Sequence, residues 1–215
     1  RGRQSRGDLC ALVTAPAGAA LPGDIAESLL DVIEDTYYDM GGSVTRGLRV
    51  ALLEANALLF ERNLRLDEAH RLVVGINCAV LRDEDVYIAQ LGPALLTVIR
   101  NGQVTRYPED SIWLRVEEPG AFDLKREPPG GLRRDVEPDL FHETFAPEDV
   151  LLFTTPNLAR LATDADLLDA GQHVRSDGSL GVVEHRFAPV LSAAKVDQAQ
   201  DHPGRAQVDR QAAQG

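Results

Sequence analysis

Apolar residues recur at helical spacing through the first third of the chain and then change to strand spacing. Ile25, Leu29, Val32, Ile33 and Tyr37 predict a helix that starts at Pro22, runs through Tyr38 and stops at Gly41-Gly42. A second helix, capped by Ser43 or Thr45, carries Leu48, Leu52, Ala55 and Leu59 in one stripe. Leu53 and Leu58 widen the stripe, and the helix ends near Asn63. Before both helices, Leu9 to Val13 is a short apolar run that suits a buried strand.

After the second helix the pattern favours strands. Leu72 to Leu81, Val86 to Leu91, Leu95 to Arg100 and Gln103 to Tyr107 follow one another with short turns and predict an antiparallel meander. Asn101-Gly102 is a strong hairpin signal, because both residues tolerate the positive φ of a type I′ turn. Residues 108–138 are rich in Pro and Gly and predict a long loop that serves as a flap. Leu140 to Phe145 and Val150 to Thr154 are two more strands, and Leu158 to Ala170 is a helix. Beyond Gly171 the apolar pattern fades. Val182 to Pro189 is a last strand candidate, and residues 196–215 have the composition of a disordered tail. The expected division is therefore a domain over 7–171 and a partly disordered segment over 172–215.

Composition narrows the function. The chain has 215 residues, enough for one domain with a real core. Its 34 acids outnumber its 22 bases, for a net charge of −12. That argues against nucleic acid and anionic membrane as partners, since both are gripped through Lys and Arg. No run approaches the ~18 apolar residues of a membrane span, and no signal peptide opens the chain. The chain starts at Arg1 without Met and is read as a piece of a longer protein. Cys10 and Cys78 sit in apolar runs without metal-ligand spacing, which points to free buried thiols and a reducing, cytoplasmic setting. Only Lys125 and Lys195 of the basic residues are lysine, which reflects genome composition.

Three turns follow apolar strands: Val13-Thr14-Ala15-Pro16, Leu91-Gly92-Pro93-Ala94 and Thr154-Thr155-Pro156-Asn157-Leu158. Around them the chain resembles the metal-dependent (PPM-type) serine/threonine protein phosphatases. Gly18 to Leu30 is similar to the glycine-rich turn into that family's first helix, and Leu48 to Leu59, with Ala55-Asn56, to its second. Asp83 to Gly92 is similar to its "dd.lyvanvGD" hairpin, and Arg100-Asn101-Gly102 to Asp110-Ser111 to "r.G....T.DHS". Ala146 to Leu152 is similar to "l.pGDvlll", and Leu158 to Asp166 to "L.d.lsd.ei". The resemblance covers about Gly7 to Gly171. It implies an α+β fold: a four-layer α-β-β-α sandwich of two packed antiparallel sheets flanked by helices.

The resemblance also implies what is missing. The family's three turns read roughly V-A-D-G, V-G-D-S and C-S-D-G-L, and their aspartates hold two Mn or Mg ions. Hydrolysis of a phosphate monoester needs a barrier reduction of more than ~20 kcal/mol. The ions supply most of it by activating a bridging water and clamping the phosphoryl oxygens. Such hard cations want carboxylate oxygens. The matching positions here are Ala15, Pro93 and Pro156, followed by Pro16, Ala94 and Asn157, with Gly92 kept before Pro93. Ala15 offers no donor atom, and the two prolines offer none from the side chain and lack the backbone N–H. No Asp or Glu lies within two residues of any of them. The vestigial positions are thus Ala15, Pro16, Gly92, Pro93, Pro156 and Asn157, and the chain is expected to use no cofactor.

Three functional readings follow. The first is a phosphatase-like domain without turnover that regulates or scaffolds, with a kinase, a phosphatase or a phosphoprotein as partner. The second is a divergent phosphatase whose ligands have moved to residues such as Asp110, Glu143 or Asp177. A third, an unrelated α+β binding module, predicts a single open sheet. Other motifs read as ordinary surface. They are Arg6-Gly7-Asp8, the acidic turn Asp83-Glu84-Asp85, the helix-start pair Asp164 and Asp166, and Ser176-Asp177-Gly178 as a plain turn. Of the five scattered histidines, His142 beside Glu143 is the one worth locating.

Overall fold

A computed structural model of the chain describes residues 4–16, 19–114, 128–177 and 194–196. Its elements are β1 (Asp8–Thr14), α1 (Gly23–Asp39), α2 (Val44–Asn63), β2 (Gly75–Arg82), β3 (Asp85–Leu91), β4 (Leu95–Arg100), β5 (Gln103–Tyr107), β6 (Asp139–Thr144), β7 (Val150–Thr154), α3 (Pro156–Leu161), α4 (Asp164–Asp177) and β8 (Ala194–Val196). They form two sheets with orders β6-β3-β2-β1-β8 and β5-β4-β7. Every pairing is antiparallel.

The period-2 alternation of the strands assigns each face. On the first sheet Leu9, Ala11, Val13, Ile76, Cys78, Val80, Ala89 and Leu91 pack under α1 and α2, against Ile25, Leu29, Ile33, Leu48, Leu52 and Leu59. The opposite face meets the second sheet: Ala79, Val86 and Ile88 pack with Leu96 and Val98, flanked by Phe141, Tyr107, Leu151 and Phe153. The far face of the second sheet places Ile99 and Val150 against Leu167 of α4. Helices, sheet, sheet and helices are therefore four layers, as the resemblance implies, and the single open sheet is excluded.

The helix ends follow from their caps. Pro22 precedes α1. Ser43 accepts from Arg46 N to open α2. The hairpin at Asn101-Gly102 has both residues at positive φ, 50° and 74°, as a type I′ turn requires.

Some expectations change. The four-strand meander is two hairpins in different sheets. β2 pairs with β3 and β4 with β5, but the chain crosses to the other sheet at Gly92-Pro93-Ala94. The helix expected over 158–170 is two helices. Thr163 and Asp166 form a reciprocal capping box, Asp166 N to Thr163 Oγ1 (3.2 Å) and Thr163 N to Asp166 Oδ2 (2.8 Å), which starts α4 afresh. The expected division at 171/172 falls inside α4, and Ala194–Val196 beyond it pairs with Cys10–Leu12 at the edge of the first sheet. Ser176 and Asp177 are accordingly the end of α4 rather than a turn. The strand candidate 182–189 lies outside the described residues.

Part of the flap is tied down. Gly130 pairs with Val74, and two asparagines on one face of α2 hold the segment. Asn56 donates to the Arg133 and Arg134 carbonyls and accepts from Gly131 N; Asn63 bonds the Gly131 carbonyl and both backbone groups of Leu72. Residues 115–127 lie outside the described residues.

The cysteines occupy opposite faces of the first sheet, since Ala11 pairs with Cys78 and Cys10 with Ala79. Both are free and buried. Burial pushes the Cys10 thiol up to about 11, with Asp8 adding to the shift. Arg6-Gly7-Asp8 is not displayed as a ligand. The Arg6 guanidinium lies 4.5 Å from the Tyr37 ring centre and donates to the Gly42 carbonyl. Gly7 stands at φ 87°, where a Cβ would lie 2.4 Å from the Leu81 carbonyl.

Candidate functional site

The strand register gathers the three turns at one end of the sandwich, called proximal below. β1 finishes at Thr14, opposite Gly75 at the start of β2. Ile76 pairs with Leu91, the last residue of β3. In the second sheet Leu95, at the start of β4, pairs with Thr154 at the end of β7. Gly75 also abuts the second turn: a Cβ there would stand 1.8 Å from the Pro93 carbonyl oxygen. Only a residue without a side chain permits this approach.

Each of these turn positions has a structural occupation. Ala15 is buried at 6% exposure. Pro16 follows it as the chain leaves β1. Gly92-Pro93 is a cis peptide, and Pro93 is buried in the crossing between sheets. Pro156 opens α3 behind the Thr155 cap, which accepts from Leu158 N at 3.2 Å; Asn157 is the next helical residue. Proline suits that first helical position, since its fixed φ is helical and no N–H is needed there.

Between the sheets at this end lies a polar pair that the sequence reading did not single out. Asn77 and Gln90 are direct cross-strand partners, on the face that meets the second sheet. They are 2% and 1% exposed. Gln90 Nε2 donates to Asn77 Oδ1 (2.6 Å), and Asn77 Nδ2 donates across the gap to the Leu95 carbonyl (3.0 Å). Thr154 Oγ1 donates to the same carbonyl at 3.3 Å. The available signal was an amide at an inward-facing position in each of two otherwise apolar strands, Gly75–Arg82 and Asp85–Leu91.

The residues proposed as relocated ligands are not brought together. Glu143 sits on β6, 3.7 Å from Arg100 and beside Tyr107. Burial and that carboxylate push Tyr107 up to about 12. Asp110 is exposed beyond β5. The Asp177 side chain lies outside the described residues. His142 stacks on Tyr87 and pairs with Asp85 at 2.8 Å, in the region of the acidic hairpin rather than the proximal end. Asp164 pairs with Arg106 at 2.5 Å, and Asp166 belongs to the α4 cap.

Two hard divalent cations do not fit this donor set. Ala15 brings no atom, Pro93 and Pro156 no side-chain donor, and the buried amides are neutral and already bonded to each other. Among the described residues, no group of three or more His, Cys, Asp or Glu converges as a metal would require.

No family model matches the sequence, and no curated protein matches it. Solved structures do. The catalytic domain of the serine/threonine phosphatase PstP, in complex with two manganese ions, superposes with a TM-score of 0.58 at 16% identity, over 76% of this chain and 73% of that one. Stp1 from Staphylococcus aureus gives 0.57 at 16% identity, over 78% and 76%. PppA, a regulatory component of the type VI secretion system (T6SS) in Pseudomonas aeruginosa, gives 0.55 at 17% identity, over 78% and 76%. The fold is that of the PPM-type serine/threonine phosphatases. At such identities the likeness concerns the fold alone. Within the PPM-type frame, the proximal end is the part whose chemistry must be read from this chain's own residues.

Proposed function

We propose that this chain is a phosphatase-fold protein without metal or turnover, acting as a regulatory or scaffolding module through contact with another protein. The setting is serine/threonine phosphorylation signalling, and the partner is a kinase, an active phosphatase or a phosphoprotein. One observation carries the reading: three strand-end turns gathered at one end of a PPM-type sandwich carry Ala15, Pro93 and Pro156, with no convergent carboxylates among the described residues. Without ions, the fold lacks the groups that would activate water and neutralise the phosphoryl oxygens. PppA, described as a regulatory component of its secretion system, is a precedent for regulatory work on this fold. We assign the protein to the cytoplasm, from two buried free thiols. Among the described residues, no helix is long and apolar enough to cross a membrane.

The test is hydrolysis of p-nitrophenyl phosphate and of a phosphothreonine peptide with millimolar Mn²⁺. The expected rate equals that of buffer. Robust turnover that EDTA abolishes overturns the proposal.

A further inference from the structure

We infer that the sandwich is closed at its proximal end by a buried amide latch, Gln90 to Asn77 to the Leu95 carbonyl, and that this latch makes the fold independent of divalent cations. The inference rests on the reading that the three turns hold no metal. It adds what stands in that place.

Carboxylates converging on one point repel each other unless a cation neutralises them. A primary amide carries both a donor and an acceptor without charge, so two amides can satisfy one another with no ion present. Asn77 and Gln90 share one such hydrogen bond, with Gln90 Oε1 left without a protein partner, and their geometry reaches further than their own sheet. They belong to one row across the first sheet, Leu12, Asn77, Gln90 and the exposed Asp139, in register on β1, β2, β3 and β6. The next row toward the interior is Cys10, Ala79 and Ile88, two of which pack in the apolar layer between the sheets. The latch is thus one row inside the Thr14–Gly75 pair at which β1 reaches its turn. Its third member, the Leu95 carbonyl, belongs to β4, the first strand after the chain has crossed over.

Proximity to the crossing gives the latch its task. The chain passes from Leu91 to Leu95 through Gly92-Pro93-Ala94, and Gly75, two residues before Asn77, abuts the Pro93 carbonyl. Asn77 therefore fixes the start of β4 from one side while Thr154 Oγ1 bonds the same carbonyl from β7. Asn77 makes two of the contacts. Gln90 makes one, and its Oε1 has no protein hydrogen-bond partner. The two residues are consequently unequal, and the inequality is measurable.

The experiment is thermal unfolding of the full chain and of Asn77→Leu, Gln90→Met and the double variant, each with EDTA and with Mn²⁺. Asn77→Leu leaves the Gln90 amide and one lone pair of Leu95 unmet, and is expected to lower the midpoint by roughly 5 °C or more. Gln90→Met is expected to lower it less. The double variant is expected to lose less than the sum, because removing both partners strands fewer polar atoms than removing one. EDTA and Mn²⁺ are expected to leave the unsubstituted chain unmoved. Equal midpoints for all four proteins, or strictly additive losses, overturn the latch. A midpoint that Mn²⁺ raises overturns cation independence and, separately, the metal-free reading. If Asn77→Leu does not fold, NMR of the unsubstituted chain decides. Slowly exchanging side-chain amide protons of Asn77 and Gln90 support the latch, and exchange at solvated rates overturns it.

Discussion

The two ends of the sandwich use opposite chemistry. The proximal end contains buried Ala15 and Pro93 and neutral amides sealed between the sheets. The far end contains the acidic hairpin at Asp83-Glu84 and the Asn101-Gly102 turn, beside a charged network. There Arg100 bonds Asp149 at 2.9 Å, lies 3.7 Å from Glu143, and donates to the Thr144 carbonyl, which joins the second sheet to β6 of the first. Asp149 Oδ2 also accepts from Ala146 N at 3.0 Å. Both ends need polar groups to terminate the inter-sheet layer. One does so with a charged network whose arginine is 39% exposed, the other with uncharged groups shut away from solvent. In a chain of net charge −12 carboxylates are plentiful, yet among the described residues none lies in the three proximal turns, and Asp139, in register with Gln90 at the start of β6, is exposed at the edge of its sheet.

The contrast can be broken at its most rigid point first. Gly75→Ala places a Cβ against the Pro93 carbonyl, a backbone atom that cannot step aside. Urea unfolding is expected to show a loss of about 3 kcal/mol or more, or no folded protein. An unchanged midpoint means the crossing is looser than the geometry states.

Ala15→Asp asks whether the proximal end tolerates the charge it lacks. A lone carboxylate at this buried position is expected to cost about 2–3 kcal/mol at neutral pH. Burial raises the carboxyl's folded pKa. The penalty is therefore full above that raised value and is relieved as pH falls through it toward the unfolded one. Mn²⁺ is expected not to rescue the variant, since Pro93 and Pro156 remain without ligand or N–H. A Mn²⁺-dependent rise in its midpoint contradicts the comparison.

At the far end the same class of change should be mild. Arg100→Ala removes the partly exposed partner of Asp149, whose side chain is only 4% exposed but keeps the Ala146 N–H, and the expected loss is about 1–2 kcal/mol, partly reduced by added salt. A larger, salt-insensitive loss would make the far end as tightly built as the proximal one.

The smallest effect is at the α4 cap. Hydrogen bonds from the Thr163 hydroxyl and N–H hold the Asp166 carboxyl below its ordinary value. Its contribution is thus present above the unfolded pKa and is lost as pH falls through the lowered folded one. Asp166→Asn is expected to flatten that acid-side dependence in a pH series of melting curves, with little change at neutral pH.

Local rules made much of the fold legible. The stripes at Ile25–Tyr37 and Leu48–Leu59, the Ser43 cap and the Asn101-Gly102 turn each stated their element, because spacing and turn chemistry are local properties. The Thr163–Asp166 box was legible as capping residues but not as the break between two helices. The sequence was less informative where strands choose partners. Gly92-Pro93-Ala94 reads as one more tight turn, yet it delivers β4 to a different sheet, since a short connection does not state which strand it must pair with. The strap over α2 was missed for a related reason. Asn56 and Asn63 face backbone groups of residues 131–134, far away in sequence, and a polar residue on a helix does not announce a distant partner.

By itself, then, the sequence determined most of the helices and strands through β7, where the three turns fall, and that none of them carries a carboxylate. Only the tertiary structure decided that the turns share one end, that Glu143 and His142 lie elsewhere, and that Asn77 and Gln90 bridge the layers. The reason is physical. Secondary structure and ligand identity are written residue by residue, whereas a site is a matter of register and layer. In β structure those are set by burial and pairing between segments far apart in the chain.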